Sequence, residues 1–168
     1  MKAIVYTSNT GSAADYAKLL ERELGLPAYR ADEAKKKLSK GTDIIYIGWI
    51  MAGKVKGYQE AEKRYRIHAV CAVGMGQTGT QRKEVREKTN VPKKTEVFTL
   101  QGNFDVKKLR GMYRMMMDIM VKTAGKALAD KTDRTPEEDD MLDMMLHGGN
   151  RVKAENLKDV INWYQSKR

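Results

Sequence analysis

With 168 residues, 41% of them hydrophobic, the chain can close one buried core but hardly two. No apolar run reaches the roughly 20 residues needed to span a bilayer, which excludes a transmembrane helix. Its 32 lysines and arginines outnumber 22 aspartates and glutamates for a net charge of +10, a field that favours anionic partners without choosing among them.

Ala3-Ile4-Val5-Tyr6 is apolar and partly β-branched, so Lys2 to Tyr6 is expected to be a strand. A polar turn, Thr7 to Ser12, leads into a helical pattern with Ala13, Ala17, Leu20 and Leu24 on one face; Gly25 ends it and Pro27 blocks its continuation. Pro27 to Arg30 supplies a short second strand, followed by a modest helix over Asp32 to Leu38. Asp43 to Ile50 and His68 to Met75 are nearly continuous apolar runs, the pattern of strands covered on both faces, and a helix over about Tyr58 to Tyr65 separates them. A helix from near Thr80 to Thr89 precedes a fifth strand, Thr95 to Gln101. Alternation of this kind predicts an α/β fold with a parallel sheet covered on both faces; strand order does not follow from it.

The last third differs. Asp105 is placed to cap a long helix in which Arg114, Asp118, Lys122 and Lys126 recur every fourth position, while Met112, Met115, Met116, Met117, Ile119, Met120 and Val121 fill most of the rest. The plain expectation is a cross-sheet helix covered further by C-terminal residues. The sharper one gives the methionines to a dimer surface, a substrate groove or a membrane contact. Thr135-Pro136-Glu137-Glu138 has the form of a helix start, with threonine as cap, proline first and glutamate third. Gly148-Gly149 stops that helix, and a final one turns Leu157, Val160, Ile161 and Tyr164 inward.

Thr7-Ser8-Asn9-Thr10-Gly11-Ser12-Ala13 combines hydroxyls, a glycine and a helix start directly after the first strand. Backbone N–H groups converging at a helix N-terminus make an anion site, and the first βα turn of an α/β sheet is where mononucleotide phosphates are held. Ordinary helix capping by Thr10 or Ser12 is the bland alternative. The loop contains neither the lysine of a triphosphate loop nor three dinucleotide-type glycines.

At these residues the chain resembles the flavodoxin superfamily, whose phosphate loop runs Ser/Thr-x-Thr-Gly-x-Thr; Ser8-Asn9-Thr10-Gly11-Ser12-Ala13 fits except at Ala13, which lacks the last hydroxyl. The resemblance covers about residues 1 to 105. It implies a three-layer flavodoxin-like fold, a five-stranded parallel sheet of order 2-1-3-4-5 with a helical C-terminal extension from about residue 130 to 168, and FMN as cofactor. It also implies that the isoalloxazine ring lies between the loops Trp49 to Gly57 and Gly74 to Gly79. Trp49, Ile50 and Met51 would then flank the ring, Trp49 or Tyr58 would stack on it, and backbone groups around Gly76, Gln77 and Thr78 would bond its polar edge. Trp49 has core packing as its plain alternative, and Lys54 and Lys56 are candidates for favouring a reduced, anionic ring.

A narrower resemblance rests on Ile47-Gly48-Trp49, Gly53-Lys54, Gly57-Tyr58, Tyr113-Arg114, the methionine-rich helix and Thr132-Asp133-Arg134. It is to the menaquinone-dependent protoporphyrinogen dehydrogenase branch, and implies a flavin that passes electrons to a quinone. The expected function is thus an FMN-dependent oxidoreductase or electron-transfer flavoprotein. The alternative, suggested by Ala13, is a flavodoxin-like binding or regulatory protein that has lost FMN. Expected partners are a redox protein or quinone, an anionic membrane surface and a second copy of the chain. Nucleic acid is disfavoured, since neither a zinc-finger spacing nor an aromatic RNA-binding signature occurs. No catalytic acid–base pair or metal-ligand spacing stands out; His68 and His147 are far apart in the chain. A lone cysteine, Cys71, and a start without a secretory-signal pattern point to a cytoplasmic protein, peripheral to the membrane if the methionines contact it.

Overall fold

The computed structural model describes residues 1–105, 109 and 111–167. In chain order it runs β1 (Ala3–Thr7), α1 (Ser12–Leu24), β2 (Ala28–Arg30), α2 (Ala31–Lys37), β3 (Asp43–Met51), β4 (Lys54–Val55), α3 (Tyr58–Glu62), β5 (Arg66–Gly74), α4 (Arg82–Thr89) and β6 (Glu96–Gln101). β4 is a two-residue strand folded back antiparallel on β3. The five long-range strands are parallel in the order β2-β1-β3-β5-β6, the order that the flavodoxin resemblance implies. Val5 is in register with Tyr46 and Cys71 with Phe98, so corresponding strand ends lie along one edge of the sheet.

Successive strand residues point to opposite faces, and each face has its own core. Ile4, Ile45, Ile47, Cys71 and Leu100 pack under α1 through Tyr16, Ala17 and Leu20. Val5, Ile44, Tyr46, Val70 and Val97 pack on the other face with Ala34, Ala61 and Val85 from α2, α3 and α4. Helix α1 stops where expected: Gly25 takes a left-handed conformation and its N–H donates to the Glu21 carbonyl. Cys71 is fully buried, and burial pushes its thiol up to about 12, so it is packing rather than a reactive thiol.

Beyond β6 come β7 (Asn103–Phe104), α5 (Gly111–Met120), a π-helical turn over Val121–Gly125, α6 (Lys126–Asp130), α7 (Pro136–His147), β8 (Gly149–Asn150), a 3₁₀ turn over Ala154–Leu157 and α8 (Lys158–Ser166). β7 and β8 pair antiparallel, Asn103 with Asn150 and Phe104 with Gly149, so the chain leaves and rejoins the sheet region at one neck. Thr135 forms the expected capping box at the start of α7: its hydroxyl accepts the Glu138 N–H and the Glu138 carboxylate accepts the Thr135 N–H. Expected capping of the methionine-rich helix by Asp105 falls at a junction that includes residues outside those described.

The methionine-rich helix does not cross the sheet, contrary to the plain expectation. No residue of α5 is buried, and Met112, Met115 and Ile119 are more than half exposed. The layer beside α1 is completed instead by the C-terminal segment, through fully buried Leu157 and Val160 with Tyr164 behind them. The reason lies in side-chain shape and polarity. Leu157, Val160 and Tyr164 form a narrow apolar stripe that one sheet face can cover, whereas a helix apolar nearly all round needs several partners.

Candidate functional site

The loops after β1, β3, β5 and β6 surround a cavity of about 540 Å³ at the C-terminal edge of the sheet. Open α/β sheets place ligands at this edge. One end is polar, formed by Ser8, Asn9, Thr10 and Ser12; Trp49, Ile50, Met51 and Gly76 line its flank. Its remaining wall comes from the region between β7 and β8, through Tyr113, Met116, Met117, Met120, Met141 and Met145. The methionines of α5 therefore divide between an inner face on the cavity and an outer face on solvent.

At the polar end, α1 begins without a side-chain cap. Its cap position is Gly11, whose φ of +107° is open to glycine and strained for other residues. Neither Thr10 nor Ser12 caps the helix, so the bland reading of the loop does not hold. The first-turn N–H groups, which an α-helix cannot bond internally, are left with the positive end of the helix dipole. Ser8 Oγ is buried and, among the described residues, has no hydrogen-bond partner. Burying an unpartnered hydroxyl costs roughly 1–3 kcal/mol, so an acceptor from outside the chain would be stabilised there.

The hydroxyls of Thr10 and Ser12 are tied to one residue that the sequence did not single out. Thr10 Oγ1 donates to Asn103 Oδ1 at 3.1 Å, and the Asn103 N–H donates to Ser12 Oγ at 2.8 Å. Ser12 thus supports the loop from below and does not move outward to replace the hydroxyl missing at Ala13, which lines the cavity at 1% exposure. Close packing at Gly102 fixes this arrangement, because a Cβ there would sit 3.0 Å from Ser12 Oγ and 2.8 Å from Val73. Thr7 does not line the cavity; the Tyr46 hydroxyl, held up to about 12 by burial, bridges Thr7 Oγ1 and the Lys56 carbonyl at 2.8 Å each.

The other flank separates residues that were grouped in sequence. Trp49 lines the cavity and meets Tyr113 edge-on, with ring centroids 5.5 Å apart and planes at 85°, so it is a wall residue. Tyr58 is core: it is 1% exposed, packs edge-on against Tyr46, and donates its hydroxyl to Glu62. Gly76 lines the cavity, but Gln77 and Thr78 do not. Thr78 Oγ1 is occupied by the Gln101 N–H at 3.0 Å, and the Gln77 carbonyl accepts from Thr80, so this turn is bonded toward β6. Gln81 and Glu84, at the start of α4, take the polar positions on this side instead. Gln81 follows Gly76 by five residues in the chain, and no local pattern marks either side chain for the site. Lys54 and Lys56 are likewise absent from the lining.

The wall contributed by α7 is anchored through polar groups. Gln101 at the end of β6 donates to Asp140, and Arg151 bonds both Asp140 (3.3 Å) and Asp143 (3.0 Å). Asp143 also pairs with His147 at 2.9 Å, and these contacts hold its carboxyl below the usual range, His147 first. This network sets α7 over the sheet edge and places Met141 and Met145 on the cavity.

No curated protein matches this chain. A family model described as a flavodoxin domain matches residues 3–131. That span takes in the whole parallel sheet and the phosphate-loop candidate, and it extends past residue 105, where the sequence resemblance was expected to end, through α5 and α6. With well over half of its length inside the match, the chain belongs to the flavodoxin domain family, a class of flavin-binding and electron-transfer domains.

Proposed function

We propose that this protein is an FMN-dependent oxidoreductase that holds the cofactor phosphate in the loop Thr7 to Ala13 and the flavin ring against Trp49. The observation that carries this reading is the buried Ser8 hydroxyl, without a partner among the described residues, beside the uncapped start of α1. A phosphate fits that donor set: the Ser8 hydroxyl and the first N–H groups of α1 are all donors, and no carboxylate belongs to the loop. The rest of the cavity suits a flat, mostly apolar ring, with Trp49, Tyr113 and methionines as walls and Gln81 and Glu84 as polar groups.

When bound there, a flavin supplies one- and two-electron redox chemistry. The chain's residues bind the phosphate, exclude water with methionine side chains, and bias the charge on the ring; Glu84 disfavours added negative charge, and Lys88, paired with it at 2.7 Å, offsets that effect. A quinone is the proposed electron acceptor, because the α5 and α7 wall is apolar and deformable.

The test is titration of the apoprotein with FMN and with riboflavin, followed by flavin fluorescence. Saturable FMN binding at least tenfold tighter than riboflavin binding is expected. A folded protein that binds neither would instead favour a cofactor-free binding protein, the reading to which Ala13 points. Reoxidation of the dithionite-reduced complex by a soluble quinone tests the acceptor separately.

A further inference from the structure

We propose that the outer face of α5 docks on an anionic lipid surface. Met112, Met115, Met116 and Ile119 stand at i, i+3, i+4 and i+7, and are 65, 58, 40 and 55% exposed. Together they form one apolar stripe on solvent, and the inner residues Tyr113, Met117 and Met120 face the cavity. Isolated exposed apolar residues are common, but an aligned row on one helix marks a contact surface.

Charge decides the occupant. From residue 111 to 126 the chain carries Arg114, Lys122 and Lys126 against a single acid, Asp118. All three cations are exposed. A second copy on this face would bring two such basic segments together, where like charges repel. An anionic bilayer supplies the opposite sign and a fluid apolar layer into which unbranched methionines can insert. Among the described residues no helix is long and apolar enough to cross a membrane, so the contact is one of lying on the surface. Met116 belongs to both the exposed stripe and the cavity wall, so the docked face borders the cavity. Docking does not depend on the flavin reading; if both hold, an apolar acceptor dissolved in the bilayer reaches the cavity without crossing water.

Sedimentation of the full chain with vesicles tests this, comparing phosphatidylcholine alone with an equal mixture of phosphatidylglycerol and phosphatidylcholine. The mixed vesicles should bind the protein, salt should weaken the binding, and phosphatidylcholine alone should bind at least tenfold less. Met115→Glu with Ile119→Glu, both outside the cavity lining, should weaken binding tenfold or more, as should Lys122→Glu with Lys126→Glu. Equal binding by wild type and the Met115/Ile119 variant would overturn the proposal, leaving only diffuse attraction by the +10 surface. So would no binding to either vesicle, or a dimer in light scattering that the same variant makes monomeric. If the Met115/Ile119 variant does not fold, as judged by circular dichroism, Met115→Ser with Ile119→Ser, which leaves the net charge unchanged, decides: binding equal to wild type overturns the proposal. FMN titration of the folded variants separates loss of docking from failure of the flavin reading.

Discussion

Thr10 and Asn103, 93 residues apart, are joined by a 3.1 Å hydrogen bond from the threonine hydroxyl to the asparagine carbonyl oxygen. Through that bond and the one from the Asn103 N–H to Ser12, the neck of the α5–α7 region closes on the candidate phosphate loop. The loop is thus bonded directly to the neck from which the wall above the cavity rises.

The hydroxyls of Ser8 and Ser12 have separable roles. Ser8→Ala should leave the apoprotein as stable as wild type or slightly more so, because it removes a buried unpartnered group, while weakening FMN binding about tenfold through loss of a charge-assisted bond. Ser12→Ala should destabilise the apoprotein by about 1–2 kcal/mol, because it orphans the Asn103 N–H. Urea melts and FMN titrations of the two variants check this; similar behaviour by both would place the phosphate elsewhere.

Trp49→Ala should weaken FMN and riboflavin binding by the same factor, roughly tenfold, since the indole would contact the ring and not the phosphate. The loop variant Ser8→Ala should affect FMN far more than riboflavin. Parallel fluorescence titrations with the two flavins measure both ratios.

Stability should track the assignment of core to the C-terminal segment, the 3₁₀ turn and α8, rather than to α5. Leu157→Ala, at a fully buried position, should cost about 2–5 kcal/mol, whereas Met115→Ala, at 58% exposure, should stay within about 0.5 kcal/mol of wild type. Chemical denaturation of each variant gives the comparison.

Asp43 lies at the other end of the sheet from the cavity, where Arg66 and His68 bond its carboxylate and hold it down at about 2. A carboxyl depressed on folding contributes stability above its unfolded pKa and loses it as pH falls through the folded one. Asp43→Asn should therefore lower the midpoint of thermal unfolding modestly at pH 7 and flatten its fall between about pH 4 and 2. Melting curves across that interval test it; the group is part-exposed, so solvent screening keeps the effect small.

Local order carried much of the architecture. Apolar runs such as Asp43 to Ile50 identify strands because burial on both faces requires them, Gly25 and Thr135-Pro136 mark helix boundaries through backbone and capping chemistry, and Ser8 to Ala13 is recognisable as a loop because its chemistry is contiguous. Choosing between α5 and α8 as the core helix was beyond periodicity, because both have apolar stripes and only competition for the sheet face distinguishes them.

Residue order alone was enough for the α/β class, the position of the phosphate-loop candidate and the cationic, methionine-rich character of the segment after β6. How those pieces meet followed only from the folded chain: Asn103 holding Thr10 and Ser12, Gln81 and Glu84 rather than Gln77 and Thr78 in the cavity lining, and the two faces of α5 divided between cavity and solvent. The physical reason is range. Strand patterns, caps and glycine turns are set by neighbours a few residues away, whereas a hydrogen bond across 93 residues depends on the path of the whole intervening chain.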